Sequence, residues 1–188
     1  SAIVELAETH GTLIVADEVY TLLTYGSEAP PPSFSLLGDK VLSVASFSKV
    51  LAPGLRVGWI EAAPELVQRL SKWGVIDSGG HLSHFSSCIV ANALEMKLVD
   101  AHLEQLRKVY TSRSSTLFQA LEEHLPSCHT LRPQGGYFLW LRLPRGVSAS
   151  ALAVASPGHG LRIMAGGPFS PSPGALDDHV RLCFARLG

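Results

Sequence analysis

Charge of either sign is scarce in this chain. Among 188 residues, 15 are basic and 16 acidic, for a net charge of −1. That balance provides no basic surface for nucleic acid and none for an anionic membrane. Cysteine is scarcer still. Cys88, Cys128 and Cys183 are odd in number, far apart and form no C-x-x-C pair, which suggests neither a disulfide framework nor a zinc site. A reducing, cytoplasmic setting is the default. The histidines show no H-x-x-x-H or comparable metal spacing. No apolar run nears the roughly 20 residues needed to cross a bilayer. The opening S-A-I-V-E-L-A-E lacks an initiator methionine, and has neither the basic start nor the apolar core of a signal peptide. It reads as the middle of a helix, with Ile3, Val4, Leu6 and Ala7 on one face and Glu5 and Glu8 opposite. The chain therefore reads as a fragment.

Hydrophobic residues make up 46% of the sequence, enough for a sizeable core and too many for a disordered chain. After the first helix, residues 1–9, Gly11 supplies a stop. Residues 12–16, T-L-I-V-A, are a continuous apolar run suited to a strand covered on both faces. The run ends on Asp17-Glu18-Val19-Tyr20. A turn-rich loop, 26–35, leads to a second strand at 41–45, and Pro53-Gly54 marks a turn before a third at 56–60. That turn is too short for a crossover helix, which predicts an antiparallel third strand. A helix follows Pro64 to about residue 73, then a glycine-bearing loop at 78–81. The pattern is helical over 85–125, with a break expected near 98–101. Beyond Pro126 come short strands at 129–131, 136–141, 161–164 and 180–184, with a small helix at 149–155. The fold class is α/β: a three-stranded sheet whose last strand is antiparallel, a long connecting helix, and a small α+β portion. The expected boundaries are 1–80, 81–125 and 126–188.

Lys49 raises the central question. It follows the apolar strand 41–45 inside S-F-S-K-V-L-A-P-G-L-R-V-G-W, residues 46–59. A charged, unpaired lysine at such a strand end costs free energy. A lysine amine can instead condense with an aldehyde to a Schiff base, and pyridoxal phosphate is the commonest such aldehyde. That cofactor demands a carboxylate on its pyridine nitrogen, a donor on its ring oxygen and a cradle for its phosphate. Asp17, ending a strand, is a candidate for the first and Tyr20 for the second. Ser46, Ser48 and the planar fork of Arg56 are candidates for the third.

Four stretches in order, D-E-V-Y, S-F-S-K-V-L-A-P-G-L-R-V-G-W, P-Q-G-G-Y-F-L-W and R-L-C-F-A, resemble the fold-type I pyridoxal phosphate enzymes. Within these the chain is similar to the class I/II aminotransferases. The resemblance implies that Lys49 holds the cofactor and shuttles a proton between substrate and cofactor carbons. It implies Asp17 on the pyridine nitrogen, Tyr20 on the ring oxygen, Ser46, Ser48 and Arg56 on the phosphate, and Arg181 on the substrate α-carboxylate. It further implies amino acid and 2-oxo acid substrates and a homodimer at full length. The likeness is to the C-terminal part of such an enzyme, truncated at both ends and without the usual final helix. Its 1–80 portion would belong to the large cofactor-binding domain. A fragment of that kind, lacking part of its cofactor site, is expected to be inactive alone.

Blander readings stand beside these. Arg56 could pair with a carboxylate, and Arg181 could be an exposed strand arginine. Glu18 reads as a surface or salt-bridge residue, Trp59 and Trp140 as core or strand-packing residues, and Met96 and Met164 as gap fillers. His84 reads as a helix-start residue and His81 as a loop residue within reach of substrate. The alternative functions are another fold-type I enzyme, such as a C–S β-lyase, or a non-catalytic truncated product.

Overall fold

A computed structural model of the chain describes residues 1–25, 30–79 and 83–186. The expectation for His81 lies outside the described residues. The backbone divides into two compact units, one from Ser1 to Leu106 and one from Arg107 onward.

In the first unit, α1 (Ala2–Thr9) buries Val4 and Ala7 of its apolar stripe. Gly11 adopts φ 64°, the left-handed conformation that turns the chain towards the sheet. There β1 (Ile14–Asp17) pairs in parallel with β2 (Val41–Ser46), and β2 pairs antiparallel with β3 (Gly58–Ala62), in the order β1-β2-β3. The antiparallel third strand is as the short turn predicts. Gly58 is required at the start of β3, because a Cβ there would stand 2.7 Å from the Ala45 carbonyl oxygen. The most deeply buried side chains of this unit are Leu23, Val41 and Val50.

The apolar run 12–16 predicts a strand covered on both faces, yet β1 alternates, and Val15 is 63% exposed. An apolar run marks a strand that a second layer can cover, but among the described residues no element lies over that side of this edge strand. Helix α2 (Pro64–Ser71) starts with proline at its first position, where the missing N–H costs nothing. It is followed by the single turn α3 (Gly74–Asp77). The long helical span is broken slightly before the expected place. Helix α4 (His84–Glu95) ends where Lys97 turns to φ 55° and donates its amide to Leu94, and α5 (Leu98–His124) begins at once.

The second unit holds an antiparallel sheet in the order β4-β5-β7-β6. Its strands are β4 (His129–Thr130), β5 (Phe138–Arg142), β6 (Met164–Ala165) and β7 (His179–Cys183). Strand β6 is shorter than the sequence suggests, because the Leu161 amide turns back to the Ser156 carbonyl at 3.1 Å. Helix α6 (Ala149–Ala155) is capped by the Ser148 hydroxyl, which accepts the Ala151 amide at 3.2 Å. Alternation along β5 and β7 buries Leu139, Leu141 and Val180 on one face. It leaves Phe138, Trp140, Arg142, His179 and Arg181 on the other.

Candidate active site

Strands β1 and β2 run parallel with Asp17 opposite Val44, so the segments leaving both strands emerge at one edge of the sheet. That carboxyl edge is where open α/β sheets place their ligands. Asp17 is the last residue of β1, and its Oδ1 accepts the Val19 amide at 3.4 Å. The Glu18 amide donates to the Val44 carbonyl at 2.9 Å, tying the D-E-V-Y turn to β2. Tyr20 follows, half-buried, at the start of a short helical turn.

Ser46 closes β2. Its hydroxyl donates to the Val57 carbonyl at 3.3 Å and accepts the Ser48 amide at 3.1 Å. Arg56 Nη1 then donates to Ser48 Oγ at 3.2 Å and to the Pro53 carbonyl at 3.2 Å. Arg56 does this from a left-handed backbone, φ 55°, ψ 39°, a conformation sparsely populated by residues with a β-carbon. Its other guanidinium donors have no partner among the described residues.

Lys49 lies between these groups in the turn after β2. The turn is fixed by the Phe47 carbonyl, which accepts the amides of Val50, Leu51 and Ala52, and by the buried Val50 side chain. Phe47 in turn packs on Trp59, ring centroids 4.7 Å apart. The lysine itself is half-buried, and its ammonium has no hydrogen-bond or ion-pair partner among the described residues. A half-buried lysine without a partner among the described residues, next in the chain to the serine of a hydroxyl–guanidinium pair, suits an aldehyde that carries an anionic group. The donor set therefore fits pyridoxal phosphate.

Arg181 belongs to the second unit, the other candidates to the first. On β7 its Cζ lies 4.0 Å from the Phe138 ring centroid and 5.0 Å from that of Phe169. No hydrogen bond or ion pair engages its guanidinium among the described residues.

Two features escaped sequence reasoning. Glu18, read as a surface or salt-bridge residue, accepts the Phe34 amide at 2.9 Å and the Ser33 hydroxyl at 3.1 Å. It pins a distant loop to the end of β1, and nothing local in the sequence signals that pairing. Trp140, read as strand packing, lies on the open face of the second sheet. There it stands edge-on to Phe169 at 5.3 Å and stacks on His179 at 5.4 Å. The alternation F-L-W-L-R in β5 does carry that signal, since it sets Phe138 and Trp140 opposite Leu139 and Leu141.

Residues 1–187 match the family model for aminotransferase class I and II. The chain belongs to this family. Class I and II aminotransferases are fold-type I pyridoxal phosphate enzymes. A 2-aminoadipate transaminase of Thermus thermophilus is 31% identical, over 98% of this chain and 47% of that protein. An uncharacterised HTH-type transcriptional regulator of Escherichia coli is 33% identical, over 89% of this chain and 36% of its own. Among solved structures, an α-aminoadipate aminotransferase of Thermus thermophilus complexed with N-(5'-phosphopyridoxyl)-L-leucine superposes with a TM-score of 0.85. It is 30% identical, and the match covers 99% of this chain and 48% of that one. The chain spans less than half the length of these class I and II relatives.

Proposed function

We propose that the complete protein is a pyridoxal phosphate-dependent aminotransferase that moves an amino group between an amino acid and a 2-oxo acid. One observation carries the reading: Lys49, half-buried and without a hydrogen-bond or ion-pair partner among the described residues, directly follows Ser48 in the turn where Arg56 bonds to that serine. When bound, the cofactor supplies an electron sink that makes the substrate α-proton removable.

The chain's own residues do the rest. Lys49 would hold the cofactor covalently and, once released by substrate, would take the proton from the substrate α-carbon and deliver it to the cofactor carbon. Asp17 keeps the pyridine nitrogen protonated, and Tyr20 donates to the ring oxygen. Ser46, Ser48 and Arg56 bind the phosphate, with Arg56 offering a planar fork that matches it. Arg181 grips the substrate carboxylate through two parallel N–H donors. Residues 1–80 are the C-terminal portion of a large cofactor-binding domain, 81–125 a connecting segment, and 126–188 a small domain. The complete enzyme is a cytoplasmic homodimer. Cys88, Cys128 and Cys183 of this chain are free thiols, and no helix among the described residues is long and apolar enough to cross a membrane.

The likeness to a transcriptional regulator favours a second reading, in which this fold serves regulation rather than turnover. One experiment separates them. The full-length protein is loaded with pyridoxal phosphate, reduced with borohydride and digested, while a second sample is assayed with a panel of amino acids. A pyridoxyl mass on the Lys49 peptide together with turnover supports the enzyme. The adduct without turnover supports the regulator, and an adduct on Lys40 or Lys72 instead overturns the site.

A further inference from the structure

The open face of the second sheet holds a feature that the aminotransferase reading does not explain. Among the described residues, Arg181 is held by aromatic rings. Its Cζ lies 4.0 Å from the Phe138 centroid and 5.0 Å from the Phe169 centroid, and no carboxylate or carbonyl engages it among the described residues. The neighbouring cation on this face is treated differently. Arg142 Nε is paired with Asp178 Oδ2 at 3.3 Å.

The difference has a physical meaning. An arginine fixed by a carboxylate gives up its charge and several of its five N–H donors to that partner. An arginine fixed between ring faces gives up neither, because the attraction acts through the plane of the guanidinium and leaves its N–H edge open. A long side chain with about 2 kcal/mol of rotamer entropy is then ordered before any anion arrives. The rings are themselves held. Phe138 is fixed on β5 by its pairing with Cys183. Phe169 stands edge-on to Trp140 at 5.3 Å, Trp140 stacks on His179 at 5.4 Å, and His179 Nδ1 bonds to Asp178 Oδ1 at 2.6 Å. Asp178 is anchored in its turn by Arg142. The clamp on Arg181 thus stands at the end of a braced row of side chains.

We propose that Phe169 is a positioning residue for the substrate carboxylate: with Phe138 it clamps the Arg181 guanidinium by cation–π contact, so that the fork is preformed and fully available. The proposal rests on the reading of Arg181 as the carboxylate binder. Phe169 touches no substrate in this account and acts only through Arg181.

The test uses the full-length, cofactor-loaded protein and three substitutions: Phe169→Leu, Phe169→Tyr and Arg181→Lys. The probes are a monocarboxylate competitive inhibitor, 4-methylvalerate, and a pair of amino donors with and without a carboxylate, leucine and isoamylamine. Phe169→Leu should raise the inhibitor constant and the KM for leucine by about tenfold, which corresponds to a desolvated cation–π contact. It should leave kcat for leucine and the reaction with isoamylamine within about twofold. Phe169→Tyr, which keeps the ring, should restore the carboxylate affinity. On an Arg181→Lys background, Phe169→Leu should cost little more, since the fork it serves is gone. If Phe169→Leu leaves the inhibitor constant unchanged while Arg181→Lys raises it, the clamp is wrong and the carboxylate assignment stands. If Phe169→Leu impairs leucine and isoamylamine equally, its role is merely structural and the proposal fails. If Arg181→Lys itself leaves carboxylate affinity unchanged, the carboxylate assignment fails and the clamp falls with it.

Discussion

Arg56 Nη1 lies 3.2 Å from Ser48 Oγ and meets no carboxylate among the described residues. The alternative of a carboxylate-paired arginine is therefore not what the structure contains, and the strained backbone at φ 55° has a use: it turns the fork back over the serine turn. Strain and binding can be separated by Arg56→Gly. Glycine adopts that backbone freely, relieving roughly 1 kcal/mol, so the cofactor-free protein should melt no lower than the wild type. The same change should weaken pyridoxal phosphate binding at least tenfold in an absorbance titration of the full-length protein. A large fall in the melting temperature of the cofactor-free form would mean that Arg56 is structural.

Asp17 ends β1 with its carboxylate exposed, at the edge from which the Lys49 turn also leaves. If Asp17 holds the pyridine nitrogen as proposed, its replacement by Ala in the full-length protein should spare much of the cofactor affinity while raising the barrier to transamination by about 3 kcal/mol, as for other preorganised electrostatic contacts. Single-turnover rates measured at saturating cofactor check this. Turnover near that of the wild type would show that another group holds the pyridine nitrogen.

Glu18 ties the Ser33–Phe34 segment to the end of β1 through two charge-assisted hydrogen bonds. Glu18→Ala should destabilise the protein by about 2 kcal/mol in denaturant titration, because the Phe34 amide and Ser33 hydroxyl lose a partly buried partner. Glu18→Gln should cost less, since an amide oxygen can still accept from Phe34. Equal stability of all three forms would reduce Glu18 to an ornament of the surface.

The parts of this molecule that sequence makes legible are those written in short range. The apolar runs at 12–16 and 41–45, the brief turn at Pro53-Gly54 and the alternation of β5 fix strands and pairing sense with little help from tertiary context. The Lys49 turn is legible for the same reason, since Ser46, Ser48 and Arg56 are near it in the chain. Contacts across longer separations are not written locally. Glu18 meets Phe34 only after β1 and β2 have paired and the intervening loop has returned. Phe169 meets Arg181 only when β6 and β7 have come together. The exposure of Val15 is illegible for a different reason: an apolar strand states that it can be covered, not what covers it.

The Asp178–His179–Arg142 group makes a prediction about acid. The hydrogen bond from His179 holds the Asp178 carboxyl below the usual aspartate range, with Arg142 acting in the same direction. A carboxyl depressed in the folded state contributes stability that is fully present above its unfolded pKa and is lost as pH falls through its lower native value. The contribution should therefore be intact at about pH 6 and fade through the acid range below about pH 4. Asp178→Asn removes the titrating group, so the wild type should melt above the variant near neutrality, and the gap should close as pH falls towards about 2.5. Asp177 is also held low, by Ser150 and Ser148, so Asp177→Asn serves as a separate control. Melting curves of wild type and both variants across that range provide the measurement. A gap for Asp178→Asn that stays constant with pH would show that its carboxylate is not coupled to folding, and the brace behind Trp140 would then have to be held by packing alone.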